Sequence, residues 1–262
     1  MMLALGNGYV GNAFRLYAGA TVLSRATTGY DHPQYFPKIL TAMRPQSVVN
    51  CAGFTGRPHI DECEVRRDET VKANIVLAAN ISRACADYGI PYVHISSGCI
   101  YQGSHNYAED AQPAERLSFY SQTKWIAEQA VKGYVLRIRM PFDGSGHERC
   151  LLSKLAKYPR LIDCENSITF LPDVVYATCA LLAKKAPIGV YHVTNEGVTR
   201  HSEIAALMGW QKEFIPLESL GTAAPRSNCT LNSAKLAQFY PMPHVLERLA
   251  LAAKPRVAKV AA

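Results

Sequence analysis

The stretch Met1-Met2-Leu3-Ala4-Leu5-Gly6-Asn7-Gly8-Tyr9-Val10-Gly11 decides how the rest of the chain is read. An apolar run of strand length opens directly into glycines spaced Gly-x-Gly-x-x-Gly, and an amphipathic segment follows. Glycines at that spacing let the backbone approach a diphosphate, while the amides of the next helix supply donors and a partial positive charge. Gly6, Gly8, Tyr9, Val10 and Gly11 are therefore the expected contacts for a dinucleotide. The same glycines also make a tight turn that needs no ligand, so the downstream sequence has to decide.

Working outward, Thr21–Leu23, Ser47–Asn50, 92–96 and Tyr134–Ile138 read as buried strands, like 1–5. Tyr35–Met43, 68–88 and 119–131 have helical length and periodicity. Strand and helix in alternation predict an α/β fold, a Rossmann-type doubly wound parallel sheet with ligands at the carboxyl ends of its strands. Residues 102–116 read as a polar loop at the pocket mouth. Past Arg139 the alternation fails: Pro141, Gly144 and Gly146 mark a loop, 150–158 reads as a helix, and 174–185 as a helix returning to the sheet. The expected organisation is a dinucleotide-binding domain over 1–140, with 170–186 packing on it, and a smaller substrate-binding lobe over 141–262.

Composition narrows the function classes. At 262 residues, with 48% hydrophobic and 19% charged residues, the chain suits a globular enzyme. The net charge of +7 favours polyanionic ligands. Basic residues are scattered, with only Lys254, Arg256 and Lys259 clustered, so nucleic acid is not an expected partner. The eight cysteines show neither a C-x-x-C pair nor zinc spacing, so no metal is expected and most read as reduced core thiols of a cytoplasmic protein. No apolar run reaches the length of a membrane span, and no membrane partner is expected.

Two further stretches carry chemistry: Ser96-Ser97-Gly98-Cys99-Ile100-Tyr101 and Tyr120-Ser121-Gln122-Thr123-Lys124. Tyr120 and Lys124, at i and i+4, share one helix face, which predicts an ammonium close to the phenol and a phenolate favoured by it. Ser97, ending a strand, would orient a substrate oxygen. Together with the glycine loop, this predicts a nicotinamide enzyme acting on an alcohol or ketone. An NAD enzyme commonly places an acid at the end of the second strand. Here Ser24-Arg25 stand there and favour the extra phosphate of NADP, although Arg25 also reads as a solvated loop residue. Cys51, Ala52 and Gly53, ending the third strand, would let the chain pass beside the adenosine. On sequence alone Cys99 reads as a buried thiol and Lys154 as a solvated helix lysine.

The arrangement resembles the extended short-chain dehydrogenase/reductase superfamily. Gly98-Cys99-Ile100, Thr55-Gly56-Arg57-Pro58, Arg137-Ile138-Arg139-Met140-Pro141, Asn166-Ser167-Ile168-Thr169 and Ala224-Pro225-Arg226-Ser227-Asn228 bring it closer to one family. They are similar to the bifunctional nucleotide-4-keto-6-deoxyglucose 3,5-epimerase/4-reductases (nucleotide-rhamnose synthase/epimerase-reductases). That family is related to dTDP-4-dehydrorhamnose reductase and GDP-fucose synthase. The resemblance runs from residue 3 to about 250.

The resemblance implies NADPH as cofactor and a UDP- or dTDP-linked 4-keto-6-deoxyglucose as substrate, taken to the nucleotide-L-rhamnose. It implies Ser97, Tyr120 and Lys124 for reduction at C4, and Cys99 with Lys154 as the acid–base pair at C3 and C5. His147 rivals Lys154, by likeness to GDP-fucose synthase. Thr55, Gly56, Arg57 and Arg226 are implied in substrate binding, the two arginines being equally readable as loop salt-bridge residues. Asn166 and Ser167 would contact the nucleotide or cap the next segment. A separate 4,6-dehydratase would supply the keto sugar, and the oligomeric state stays open, a homodimer included. The rival expectations are a 4-reductase alone, a GDP-fucose synthase-like enzyme, and a non-catalytic NADP-binding regulatory subunit. His59 and Glu62 depart from the Asn and Trp common in the plant members, which bears on the sugar pocket.

Overall fold

The computed structural model describes residues 1–254; Arg256 and Lys259 of the basic tail lie outside the described residues. The chain begins β1 (Met2–Leu5), α1 (Tyr9–Ala18), β2 (Thr21–Leu23), α2 (Arg25–Thr28), α3 (Tyr35–Met43) and β3 (Ser47–Asn50). Next come α4 (Asp61–Val65), α5 (Arg67–Val71), a π-helical turn (Lys72–Val76), α6 (Leu77–Asp87), β4 (Tyr92–Ser97) and a 3-10 turn (Gly98–Ile100). β5 (Gly103–Tyr107), α7 (Phe119–Ala130), β6 (Tyr134–Ile138), β7 (Pro141–Phe142) and α8 (Leu151–Lys157) follow. β8 (Arg160–Ile162), β9 (Thr169–Phe170), α9 (Leu171–Ala183), β10 (Gly189–His192) and α10 (His201–Leu207) lead into the last part. It holds β11 (Glu213–Ile215), a second 3-10 turn (Leu217–Leu220), β12 (Cys229–Leu231), α11 (Ala234–Ala237) and α12 (Val245–Ala253).

Six strands pair in parallel in the order β10-β6-β4-β3-β1-β2. Side chains along a strand alternate between faces, and the core follows that period. Ala4 and Val49 point to the face covered by Ala13 and Phe14 of α1 and by Val174, Val175 and Leu181 of α9. Leu3, Leu5 and Val48 point to the face covered by Phe36 and Leu40 of α3 and Ile81 and Cys85 of α6. Because β1 lies between β2 and β3, the strand order reverses there, and a crevice opens at the carboxyl ends of those strands. All eight cysteines are free, and four of them, Cys63, Cys85, Cys150 and Cys229, are buried.

Three segments differ from expectation, each for a local reason. Residues 102–116 are not all loop: β5 pairs with β12, its ends held by Gly103 N donating to Asn228 O at 2.6 Å and Asn232 N to Tyr107 O at 2.8 Å. Gly-Ser-His-Asn-Tyr carries no apolar alternation, so only backbone pairing makes it a strand. The single helix over 68–88 is broken by the π-helical turn, where buried Asn74 exchanges hydrogen bonds with the Phe54 amide (2.7 Å) and carbonyl (3.0 Å). The returning helix starts earlier than expected, at Leu171, with Pro172 in its first turn, where a missing amide proton costs nothing. β10 then joins the sheet edge beside β6.

Behind the sheet's carboxyl end lies a buried charge pair. Arg137 on β6 donates to Glu128 on α7 at 2.6 Å, and both side chains are almost wholly buried. Ser96 donates to the same carboxylate, and Arg137 Nη1 donates to the Tyr101 hydroxyl at 2.6 Å. Removing one partner of such a pair strands a buried charge. Arg137→Met is expected to lose about 3–5 kcal/mol of unfolding free energy by chemical denaturation, with Glu128→Leu in the same chain recovering most of it. A loss well under about 1 kcal/mol would show the pair to be solvated.

Candidate active site

The glycine loop meets the end of β3 at close quarters. A Cβ on Gly6, whose φ is +101°, would lie 3.0 Å from the Ala52 nitrogen, and one on Gly11 would lie 1.8 Å from the Gly6 carbonyl oxygen. Helix α1 starts from extended Gly8 with no side-chain cap and no acid in its first turn. A Cβ on Gly8 would meet nothing within 4 Å, so the exposed first-turn amides front open space that suits a diphosphate. Cys51, Ala52 and Gly53 run alongside, with Asn50 accepting from the Ala52 amide at 3.1 Å. At the end of β2, half-buried Ser24 and exposed Arg25 open helix α2. Arg25, Phe54, Lys72 and Asn80 line a cleft of about 400 Å³ there.

The reacting groups gather where β4 ends. Ser97 Oγ accepts the Cys99 amide at 3.2 Å, folding the chain into the 3-10 turn that presents half-buried Cys99. Helix α7 brings Tyr120 in its first turn, capped by Ser118, which accepts from Ser121 N at 3.2 Å, and by Glu64, which accepts from Phe119 N at 2.7 Å. A carboxylate at that end also suits the helix dipole. Burial pushes the Tyr120 phenol up, the Cys99 charge adds to it, and a hydrogen bond from Ser97 and the Arg149 charge act against it. Lys154 on α8 is pushed down by burial and by Arg149, while the Cys150, Glu148 and Cys99 charges oppose that.

The phenolate expected at Tyr120 is corrected, because burial raises the phenol and keeps it protonated. Lys124 Nζ donates to the Ile95 carbonyl at 2.7 Å and lies 3.4 Å from His94 Nε2. Sharing a helix face sets neighbouring Cβ atoms; the sheet carbonyl then claims the buried ammonium. His94 is pushed well down by burial and by Lys124, so it faces that ammonium as a neutral ring.

The other expected residues divide. His147 stacks on Tyr9 with centroids 4.7 Å apart and so lies over the glycine loop. Arg57 is exposed beside a cis bond to Pro58. Arg226 is paired with Asp61. Burial acts to raise the Asp61 carboxyl, but hydrogen bonds from Arg226 and the Ala224 amide outweigh it and bring it down to about 2. Asn166 and Ser167 are buried and turned inward. Asn166 Oδ1 accepts from Arg139 and from Cys229 N, and Ser167 Oγ accepts from Leu231 N at 2.9 Å. Their polar atoms brace β12, which agrees with the capping alternative.

Two arginines escaped the sequence reading. Arg149 donates to Thr55 Oγ1 and to the Gly56 carbonyl, both at 3.0 Å, tying the start of α8 to the Thr55-Gly56 turn. Arg139, at the end of β6, donates to Cys99 Sγ at 3.4 Å. The signal available for Arg139 was its place in Arg137-Ile138-Arg139-Met140-Pro141, directly after an apolar strand run. Among the described residues, no cluster of His, Cys, Asp or Glu could hold a metal ion, and no helix is long and apolar enough to cross a membrane.

Burial brings Lys124 down from 10.5 to about 8. The unfolded chain keeps that proton up to about pH 10.5 and the folded chain only to about 8, so the folded state gains stability as pH rises through that window. Below pH 8 the cost of the buried charge is carried in full. Lys124→Met is expected to stabilise the chain at pH 7 by about 1–3 kcal/mol, the gap narrowing between pH 8 and 10 in urea titrations. A gap indifferent to pH would contradict this.

Comparison with known proteins agrees with this arrangement. A bifunctional dTDP-4-dehydrorhamnose 3,5-epimerase/dTDP-4-dehydrorhamnose reductase of Arabidopsis thaliana is 30% identical over 223 residues, covering 77% of this chain and 74% of that protein. A trifunctional UDP-glucose 4,6-dehydratase/3,5-epimerase/reductase of the same plant is 29% identical, and the match covers 77% of this chain but 33% of its length. The crystal structure of the L780 UDP-rhamnose synthase from Acanthamoeba polyphaga mimivirus superposes with a TM-score of 0.86 at 25% identity, covering 96% of this chain and 98% of that one. The Rossmann-type sheet is thus shared with sugar-nucleotide enzymes. Its match to the family profile over residues 3–238 shows that the chain belongs to the RmlD substrate binding domain family.

Proposed function

We propose that the chain is an NADPH-dependent 3,5-epimerase/4-reductase that converts a UDP- or dTDP-linked 4-keto-6-deoxyglucose into the nucleotide-L-rhamnose. The observation that carries this reading is the 3-10 turn after β4, which sets a half-buried thiol, Cys99, two residues from the Ser97 hydroxyl and within 3.4 Å of the Arg139 guanidinium. A plain reductase needs only the Ser97–Tyr120 hydroxyl pair. A thiol and an ammonium added to the same site give the second pair of proton carriers that inversion at carbon requires.

The C4 ketone makes the C–H bonds at C3 and C5 acidic, because the electron pair left behind is delocalised onto the carbonyl oxygen. Cys99 as thiolate takes the proton, the Tyr120 and Ser97 hydroxyls stabilise the developing oxyanion, and Lys154 as ammonium returns a proton to the opposite face. NADPH supplies the hydride to C4. Tyr120 then gives its proton to the C4 oxygen. We place Lys154 ahead of His147 in this role because His147 is held against Tyr9. Thr55 and Gly56, fixed by Arg149, and Arg57 beside them form the proposed grip on the sugar nucleotide. Arg226, paired with Asp61, would hold that loop from the far side.

NADPH is preferred over NADH because Leu23-Ser24-Arg25 ends β2 without an acid. Arg25 and Lys72 line the adjoining cleft together with Asp31 and Glu69, and Arg25 lies 3.8 Å from Asp31, so a 2′-phosphate would draw that guanidinium from its carboxylate. Lys72 was not visible as a contributor in the sequence because its strand neighbour is set only by the fold. The keto sugar would come from a separate 4,6-dehydratase. The proposed division places the cofactor on residues 1–140 with 170–186, and the sugar nucleotide mainly on 141–262.

Incubating a UDP- or dTDP-linked 4-keto-6-deoxyglucose with the protein in D₂O, without NADPH, is expected to place deuterium at C3 and C5. Cys99→Ala is expected to slow that exchange about 10²–10⁴-fold. Tyr120→Phe is expected to depress NADPH oxidation by a similar factor. Reduction of a pre-epimerised sugar with no exchange in the wild-type chain would leave the reductase alone.

A further inference from the structure

Two arginines, one on β6 and one just past its end, are buried to the same degree and neutralised differently. Arg137 and Arg139 are each 1% exposed. Arg137 has the Glu128 carboxylate at 2.6 Å. Among the described residues no carboxylate comes within ion-pair distance of Arg139. Its Nη2 donates to Asn166 Oδ1 and to the Ser227 carbonyl (2.7 Å), its Nη1 to Ser227 Oγ (3.3 Å) and Cys99 Sγ (3.4 Å), and its Nε is left without a partner. A guanidinium stays charged in a protein, and a buried charge needs a counter-charge or must be offset by dipoles alone.

We propose that Arg139 is the positioning residue that holds Cys99 as a thiolate, the sulfur serving as the anion that this buried guanidinium lacks. The inference rests on the reading of Cys99 as the proton acceptor at C3 and C5, and it assigns what keeps that acceptor charged. The neighbouring groups leave Cys99 the fitting partner. Cys229, from β12, is deeply buried and gives its own hydrogen bond to the Gly98 carbonyl at 3.3 Å. Tyr120 from α7 is a phenol held protonated by burial, and Lys154 from α8 and His201 from α10 bring no negative charge. Asn166, Ser227 and the backbone fix the guanidinium plane, so Nη1 is presented to the sulfur with little freedom to turn away. The role of Asn166 follows: it orients Arg139 instead of touching nucleotide.

The test needs no sugar. Iodoacetamide alkylation of Cys99 is followed by peptide mass spectrometry across pH in the folded chain. Arg139→Gln keeps hydrogen-bond donors and loses the charge; it is expected to slow alkylation at pH 7 about ten-fold and to move the half-maximal pH up by about one unit. Arg139→Lys restores the charge and is expected to recover most of the rate, which a merely structural role would not produce. Superimposable profiles for the wild-type chain and Arg139→Gln, or a lysine variant no better than the glutamine, overturn the proposal. Should Arg139→Gln fail to fold, the thiolate absorbance lost in Cys99→Ser decides in the wild-type chain. The proposal requires that absorbance at pH 7, and its first appearance only above about pH 8.5, where a free thiol ionises, overturns it. If alkylation behaves as expected while the D₂O exchange fails, the epimerase reading falls and the charge pairing stands.

Discussion

The hydrogen bond from the Cys99 amide to Ser97 Oγ is the joint on which the site turns. It bends the chain sharply at the end of β4, so that a strand and a 3-10 turn present a hydroxyl and a thiol two residues apart. Without it Cys99 would follow the strand direction, away from α7 and α8. Gly98 enforces the bend from the other side, since a Cβ there would come within 2.5 Å of the Leu231 side chain. Strand end, turn and the pairing of β12 with β5 are therefore one mechanical unit, and the reacting groups inherit its rigidity.

Buried cations surround that unit, each balanced by a different device. Arg137 has a carboxylate, Lys124 has a backbone carbonyl and a neutral histidine, and Arg139 has amide, hydroxyl and thiol groups. Only the first is an ordinary ion pair, and it stands furthest back from the pocket. The two nearer the chemistry are under-compensated, which costs folding free energy and leaves charge ready to act on a substrate oxygen or a thiol. A packed apolar core, Phe14, Val174, Val175 and Leu136 on one face and Phe36, Leu40 and Ile81 on the other, supplies the stability that such a site draws on.

Much of this was legible in the chain itself. Thr21–Leu23, Tyr35–Met43, Ser47–Asn50 and Tyr134–Ile138 have the expected bounds, because apolar runs bounded by glycine or polar turns have few alternatives once buried. The strand β5 was hidden because backbone pairing, not side-chain pattern, makes it. The π-helical turn was hidden because its cause, Asn74 reaching the Phe54 backbone, is a contact between residues twenty apart. Arg149 was hidden because its partners, Thr55 and Gly56, lie 94 and 93 residues away, and Arg139 because its importance lies in the carboxylate the fold does not place beside it, whereas a sequence displays only the groups present. The expected phenolate failed because helical spacing fixes which side chains are neighbours and says nothing of the burial that keeps the phenol protonated.

That last failure bears on the proposal that one pocket serves two reactions. Were the ammonium of Lys124 to set the state of Tyr120 alone, the phenol would lean toward phenolate and would be a poor donor to a developing oxyanion. In the observed arrangement burial keeps the phenol protonated, and the charges that temper it come from Arg149 and the Ser97 hydroxyl on the substrate side. A protonated Tyr120 can donate to the C4 oxygen while a proton leaves the neighbouring carbon, and can surrender the same proton once hydride arrives. One group in one protonation state thus meets both demands, provided a second residue carries the negative charge, and Cys99 against Arg139 is the place where the structure can hold it.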